Sequence, residues 1–261
     1  MPQHNVLTSR IRDLGGWLSR AWPVESMERT GFPGRWLGGA AMLLGPLALL
    51  TGVLSRARYH FFFPDQLRGY VETPGLMTAA SSCFIAGYVL LWPAVALIVR
   101  RVSTVSPGWA LWGGMLVYLG IAARAFHAGV DHLAFQLAAI HGADSATATL
   151  TRAYPAFHVF HVATAALFFG WIVLAIGAWR ARVIGPVSAV ALALTSALPI
   201  GVLKGTTPSS VVAAVGLCVA LLPLGVRTLR DGPRPRPATV ARWFGLLAVV
   251  LVVGYLLGEA G

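Results

Sequence analysis

The sequence predicts an all-α integral membrane protein: a bundle of seven transmembrane helices, N-terminus cytoplasmic and C-terminus outside, preceded by an amphipathic helix on the inner leaflet. Three observations carry this. Of 261 residues, 57% are hydrophobic and 11% charged, against about 25% charged in a soluble domain. Mean hydropathy is +0.72. The apolar residues also gather into long blocks, with the basic residues placed unevenly between them. This composition excludes a disulfide scaffold, a disordered chain and an ordinary cytosolic enzyme. The formal charge of +11 is not gathered into one patch, so no nucleic-acid partner is expected.

Residues 1–35 read as a cytoplasmic amphipathic segment, and residues 36–261 as the seven-helix domain. Leu7, Ile11, Leu14, Leu18 and Trp22 recur every three or four residues, with Arg10, Asp13 and Arg20 off that stripe. The segment has no apolar run before a small-residue cleavage site and contains Asp13, Glu25 and Glu28, unlike a signal peptide. The expected spans are 36–56, 78–99, 108–128, 156–178, 184–203, 208–226 and 241–259. Helix is the state that satisfies every backbone group inside hydrocarbon, and Pro46, Pro93, Pro199 and Pro223 mark possible kinks.

Arginines orient the bundle. With the N-terminus in the cytoplasm, fourteen of the basic residues lie inside. Arg56, Arg58, Arg68, Arg152 and Lys204 lie outside, and Arg124 lies in the membrane. Trp36, Trp109, Trp112, Trp179 and Trp243 fall at the cytoplasmic ends, as an interfacial belt should. A multi-pass plasma-membrane protein is the expected setting. Cys83 and Cys218 fall at different depths in their spans, which argues for two buried thiols rather than a disulfide.

Six of the seven histidines map to the outer third or the outer loops: His60, His127, His132, His141, His158 and His161. The third span continues past its apolar core through Arg124, His127, Asp131, His132 and Gln136. At 100° per residue, Arg124, His127 and Asp131 lie within about 60° of one another, whereas His132 points about 100° from Asp131. The fourth span opens with Tyr154, His158 and His161 on one face. A short loop makes these two spans antiparallel neighbours, so His127 and Asp131 face His158 and His161.

Such pairs on facing helices can hold one metal ion, and imidazoles with a carboxylate suit Zn, Fe, Mn or Cu. His60 and Asp65 can add a ligand or an acceptor behind one. Two histidines from different helices can instead hold a haem iron, with His158 and His161 as cofactor ligands. Histidines near a helix end can equally meet headgroups or water, and Arg124 with Asp131 can be a buried ion pair. Arg56, Arg58, Arg124 and Lys204 can collect an anionic substrate, although snorkelling to headgroups is the simpler reading for each except Arg124.

The expected function is a membrane-embedded enzyme with an outer-facing His/Asp site, metal-dependent or not, acting on a small anionic or lipophilic molecule in a biosynthetic pathway. Redox, nitrogen–nitrogen and isoprenoid chemistry are not distinguished by the residues. Asp131, Arg124 and His127 are the catalytic candidates, and His127, Asp131, His158 and His161 the metal candidates. A haem- or quinone-linked electron carrier and a small transporter or resistance protein remain as alternatives. The last expected span holds no lysine for a retinal Schiff base and no histidine of the kind seven-pass zinc hydrolases place there. No DxxxD or DDxxD motif is present for magnesium diphosphate.

The metal reading predicts near-stoichiometric metal by elemental mass spectrometry of protein purified in mild detergent. It further predicts loss of that metal in the His158→Ala/His161→Ala double variant. Metal retained by the variant, or never bound, removes the two-helix metal site.

Overall fold

The computed structural model describes residues 34–153, 160–198, 203–231 and 234–259, with the backbone alone for 160–162, 164, 258 and 259. Among the described residues the chain is all helical, without a strand. The helices are α1 (Gly34–Ser55), α2 (Phe63–Glu72), α3 (Pro74–Ser103), α4 (Pro107–His141) and α5 (Ala143–Ala153). They continue as α6 (Phe160–Arg180), α7 (Pro186–Ala193), α8 (Pro208–Arg230) and α9 (Pro237–Glu259). Five of them open on proline, whose missing N–H costs nothing where the first turn has no acceptor to offer.

Five helices, α1, α3, α4, α8 and α9, are long and apolar enough to cross a bilayer, so the chain is a multi-pass membrane protein. Two further apolar stretches, Ala165–Arg180 of α6 and Pro186–Ala197, are shorter. The expected span 184–203 is therefore not one continuous helix. Its helix passes into a single 3₁₀ turn, Leu194–Ala197. Ser196 Oγ donates to the Ala193 carbonyl at 2.7 Å, the kind of side-chain competition that weakens a helix. The expected short loop between the third and fourth spans also differs, because it carries α5. The expected inner-leaflet helix lies outside the described residues.

Residues 37–229 form one compact unit; residues 1–36 and 230–261 form another. In the latter, α9 has none of its apolar window buried, which is the condition of a helix meant for lipid. The larger unit is held by close backbone approaches at small residues, the usual means of helix association in hydrocarbon. A Cβ on Gly52 of α1 would lie 2.7 Å from the Ala80 carbonyl and from the Phe84 amide nitrogen of α3. Gly225 of α8 meets the Gly39 carbonyl of α1, and Gly216 of α8 meets the Ala191 carbonyl of α7. On α4, Gly113 faces Leu174, Val117 faces Gly170 and Gly120 faces Leu167, so α4 and α6 run antiparallel as expected.

At 35 residues, α4 is about 52 Å long and outruns a hydrocarbon layer of about 30 Å. Its last turns are covered by α2 and α5. Here Leu67, Tyr70, Met77, Phe135, Ala146 and Leu203 form a second apolar cluster, apart from the main core around Leu49, Leu91, Trp171 and Leu217. This capped end positions the site. Exposed ion pairs join Arg68 to Asp65 at 3.7 Å and to Asp144 at 3.4 Å, contacts worth at most about 1 kcal/mol each.

The approach at Gly170 yields a direct check. Gly170→Leu should lower stability by about 1–3 kcal/mol through overpacking against α4. Gly129→Ala, inside α4 with open space around it, should leave it unchanged or raise it by up to about 1 kcal/mol. Thermal unfolding in detergent, followed by circular dichroism, compares the two; equal stability would disprove the α4–α6 contact.

Candidate functional site

The chain leaves α1 through a turn in which the Arg56 amide donates to the Val53 carbonyl and the Tyr59 amide to the Arg56 carbonyl. That turn folds Arg56 inward, against the part of α3 that Gly52 lets α1 approach. Arg56 is only 6% exposed, and its guanidinium lies 4.8 Å from the centre of the Phe84 ring. Arg124 of α4 is equally buried, 5.8 Å from the Phe84 ring and 5.4 Å from that of Tyr88. Phe84 and Tyr88, one turn apart on α3 and packed edge-to-face at 5.2 Å, thus offer their rings to two cations.

Asp131 is the carboxylate of this group. It lies within electrostatic range of both arginines, which also repel each other. Its Oδ1 accepts a hydrogen bond from the Leu203 amide, on the segment joining α7 to α8. Leu203 is buried and has the left-handed φ of 51°, an unusual conformation for a residue with a Cβ. The segment is tied at two further points: Gly205 N–H donates to the Phe61 carbonyl at 3.0 Å, and Thr206 Oγ1 donates to the Val53 carbonyl. Asp131 therefore holds a loop as well as balancing charge.

A cavity of about 130 Å³ opens between α3 and α4 at this point. Arg56, Arg124, Asp131 and His132 supply its charged and titratable lining, and Tyr70, Ser81, Ser82 and Gln136 supply neutral polar groups. This lining thus holds two guanidiniums and one carboxylate within electrostatic range of one another. The Arg56 Nε–H is buried and makes no hydrogen bond among the described residues. Ring contacts are worth about 0.5–2 kcal/mol, whereas a membrane-buried Arg costs about 2.5–3.5 kcal/mol even on insertion scales. The rings alone do not settle Arg56.

Arg124 and Asp131 thus come together as the helical wheel predicts. His127 is 3% exposed and does not line the cavity. His132, set aside by its angle from Asp131, does line it. The snorkelling reading of Arg56 is corrected: the turn after α1 buries it. Lys204, also read as snorkelling, is half-buried and lines a small chamber of about 10 Å³ that shares Arg56, Phe84 and Arg124. Arg58 is exposed and donates to Tyr59 and Thr73 hydroxyls. His60 pairs with Asp65 at 3.2 Å, outside the cavity.

Tyr154 and His158 lie outside the described residues, as does the His161 side chain. Among the described residues no three His, Cys, Asp or Glu side chains converge as metal ligands. The four-residue metal set is thus not assembled from described residues alone. Cys83 and Cys218 are both free thiols, as expected. Sequence reasoning missed Phe84, Tyr88, Ser81 and Ser82; the hydroxyl pair inside an apolar run and the aromatic pair four residues apart were the available signals. Comparison of the chain with protein-family models, with curated proteins and with solved structures finds no match.

Asp131→Ala should destabilise the protein by about 3–5 kcal/mol, because it strips a buried charge pair and the acceptor of the Leu203 amide. Arg56→Met added to it should recover part of that loss. Denaturation midpoints of the two variants in detergent decide the matter; an unchanged midpoint for Asp131→Ala rules out this role.

Proposed function

We propose that the chain is a plasma-membrane enzyme that binds a small anionic molecule against Arg56 and Arg124. One observation carries the reading: Arg56 and Arg124, both buried, line one cavity in which Asp131 is the carboxylate among the described residues. The guanidiniums hold and orient the anion through charge-assisted hydrogen bonds. Asp131 and His132, adjacent on α4 and both lining the cavity, supply a carboxylate and an imidazole for proton transfer. Orientation follows the arginine distribution, which sets this end of the bundle outside the cell.

A transport reading has one observation in its favour. Arg56, Phe84 and Arg124 line both the larger cavity and the small chamber with Lys204, Thr206 and Ser210, so the arginine pair stands between two polar spaces. Flux of labelled phosphate into proteoliposomes, without chemical change, would favour this reading.

Binding of inorganic phosphate, read by thermal unfolding of the full chain in detergent, tests the anion site. Arg56→Gln should weaken it about tenfold or more. Asp131→Asn should act in the opposite direction and tighten it, because it removes the competing negative charge while keeping an acceptor for the Leu203 amide. If neither variant alters phosphate binding, the anion site is not here.

A further inference from the structure

The cavity lining changes character along the helix axes. On α3, which runs away from the capped end, Thr78, Ser81 and Ser82 come first, and Ile85, Val89 and Trp92 follow. On the antiparallel α4, His132 and Gln136 lie nearer the capped end and Ile121 lies deeper. Tyr118 Oη donates to the Trp92 carbonyl at 3.3 Å, which sets Trp92 more than one turn deeper than Arg124. Trp92 is also about 12 Å along α3 from Arg100. In a hydrocarbon layer about 30 Å thick, that depth is near the midplane. Polarity therefore falls along the groove from one interface toward the bilayer centre, as it does along a lipid of that leaflet.

The apolar part is open on its side. Ile85, Val89 and Trp92 line the cavity and yet are 36%, 61% and 44% exposed. Spaced at i, i+4 and i+7, they share the face of α3 that forms the lip. At that depth the lip meets lipid, not water. A cavity of about 130 Å³ is also small beside the roughly 300–1,000 Å³ of a site enclosing a whole ligand. It has room for a head, with the remainder of the ligand left in the groove.

We infer that the ligand is a membrane lipid with a compact anionic head, taken sideways from the bilayer between α3 and α4. Its head meets Arg56 and Arg124, and its chain lies along Ile85, Val89 and Trp92. This rests on the anion site proposed above and adds the source of the anion and its route of entry. A free anion arriving from water would use the same arginines and leave the groove to bulk lipid.

The test uses the full chain in phosphatidylcholine nanodiscs with three probes: inorganic phosphate, dodecyl phosphate and dodecanol. Thermal midpoints measured against probe concentration give apparent affinities. Dodecyl phosphate should bind roughly a hundredfold or more tighter than inorganic phosphate, and dodecanol, which partitions without charge, should give no shift. Val89→Trp adds bulk at an exposed lip position and should weaken dodecyl phosphate about tenfold while leaving inorganic phosphate unchanged. Trp92→Ala, which removes chain contacts, should weaken the same probe alone if Val89→Trp does not fold. Arg56→Gln should weaken both phosphates. Equal affinity for the two phosphates, or dodecyl phosphate binding indifferent to the groove variants, overturns the lipid inference while the anion site stands. Indifference of both phosphates to Arg56→Gln overturns both.

Discussion

A guanidinium held inside a hydrocarbon-spanning bundle keeps its charge, because its pKa is too high for neutralisation to be an escape. It must therefore find ring faces, a carboxylate or a bound anion, and the structure around Arg56 and Arg124 is arranged by that need. Phe84 and Tyr88 present ring faces to the pair. Asp131 supplies the carboxylate, and its second hydrogen-bonding duty reaches the Leu203 amide. Through that bond a loop distant in sequence becomes part of the charge balance. Gly205 can follow it because a Cβ there would lie 2.7 Å from the Phe61 Cα.

The rest of the bundle makes such an arrangement possible by its backbone approaches. Lipid tails are as apolar as leucine, so helices in a membrane gain little from burying one another's apolar faces and depend on close contact. Glycines at the α1–α3 and α4–α6 seams allow that contact and fix which faces of α3 and α4 are left for the cavity. The length of α4 does the remaining positioning. Its overhang carries Asp131 and His132 toward the capped end, while α2 and α5 cover the turns beyond.

In the proposed function, binding and stability are linked. Two buried guanidiniums beside one carboxylate in the cavity lining are a cost in the empty protein, and the proposed anion would relieve it. The groups proposed to position a ligand would thus make the unliganded state less comfortable. In the proposed lipid route, the exposed lip of Ile85, Val89 and Trp92 would be where that relief enters.

Amino-acid order by itself determined the membrane class, because apolar blocks of spanning length have one satisfactory backbone state in hydrocarbon. It also determined that Arg124 and Asp131 share a face, since helical periodicity is a local property. It pointed to antiparallel packing of the helices now seen as α4 and α6. Three things were decided only in three dimensions. The turn after Ser55 buries Arg56, and no periodicity describes a turn. His127 is buried outside the cavity lining although it shares a face with Arg124 and Asp131, because the wheel does not say which neighbouring segment covers each residue of a face. His132 joins the lining despite its angle from Asp131, because a cavity between two helices takes in a wider arc of α4 than a line of ligands would. Period and composition act along the chain, whereas charge burial and backbone contact are settled between segments the chain brings together from afar.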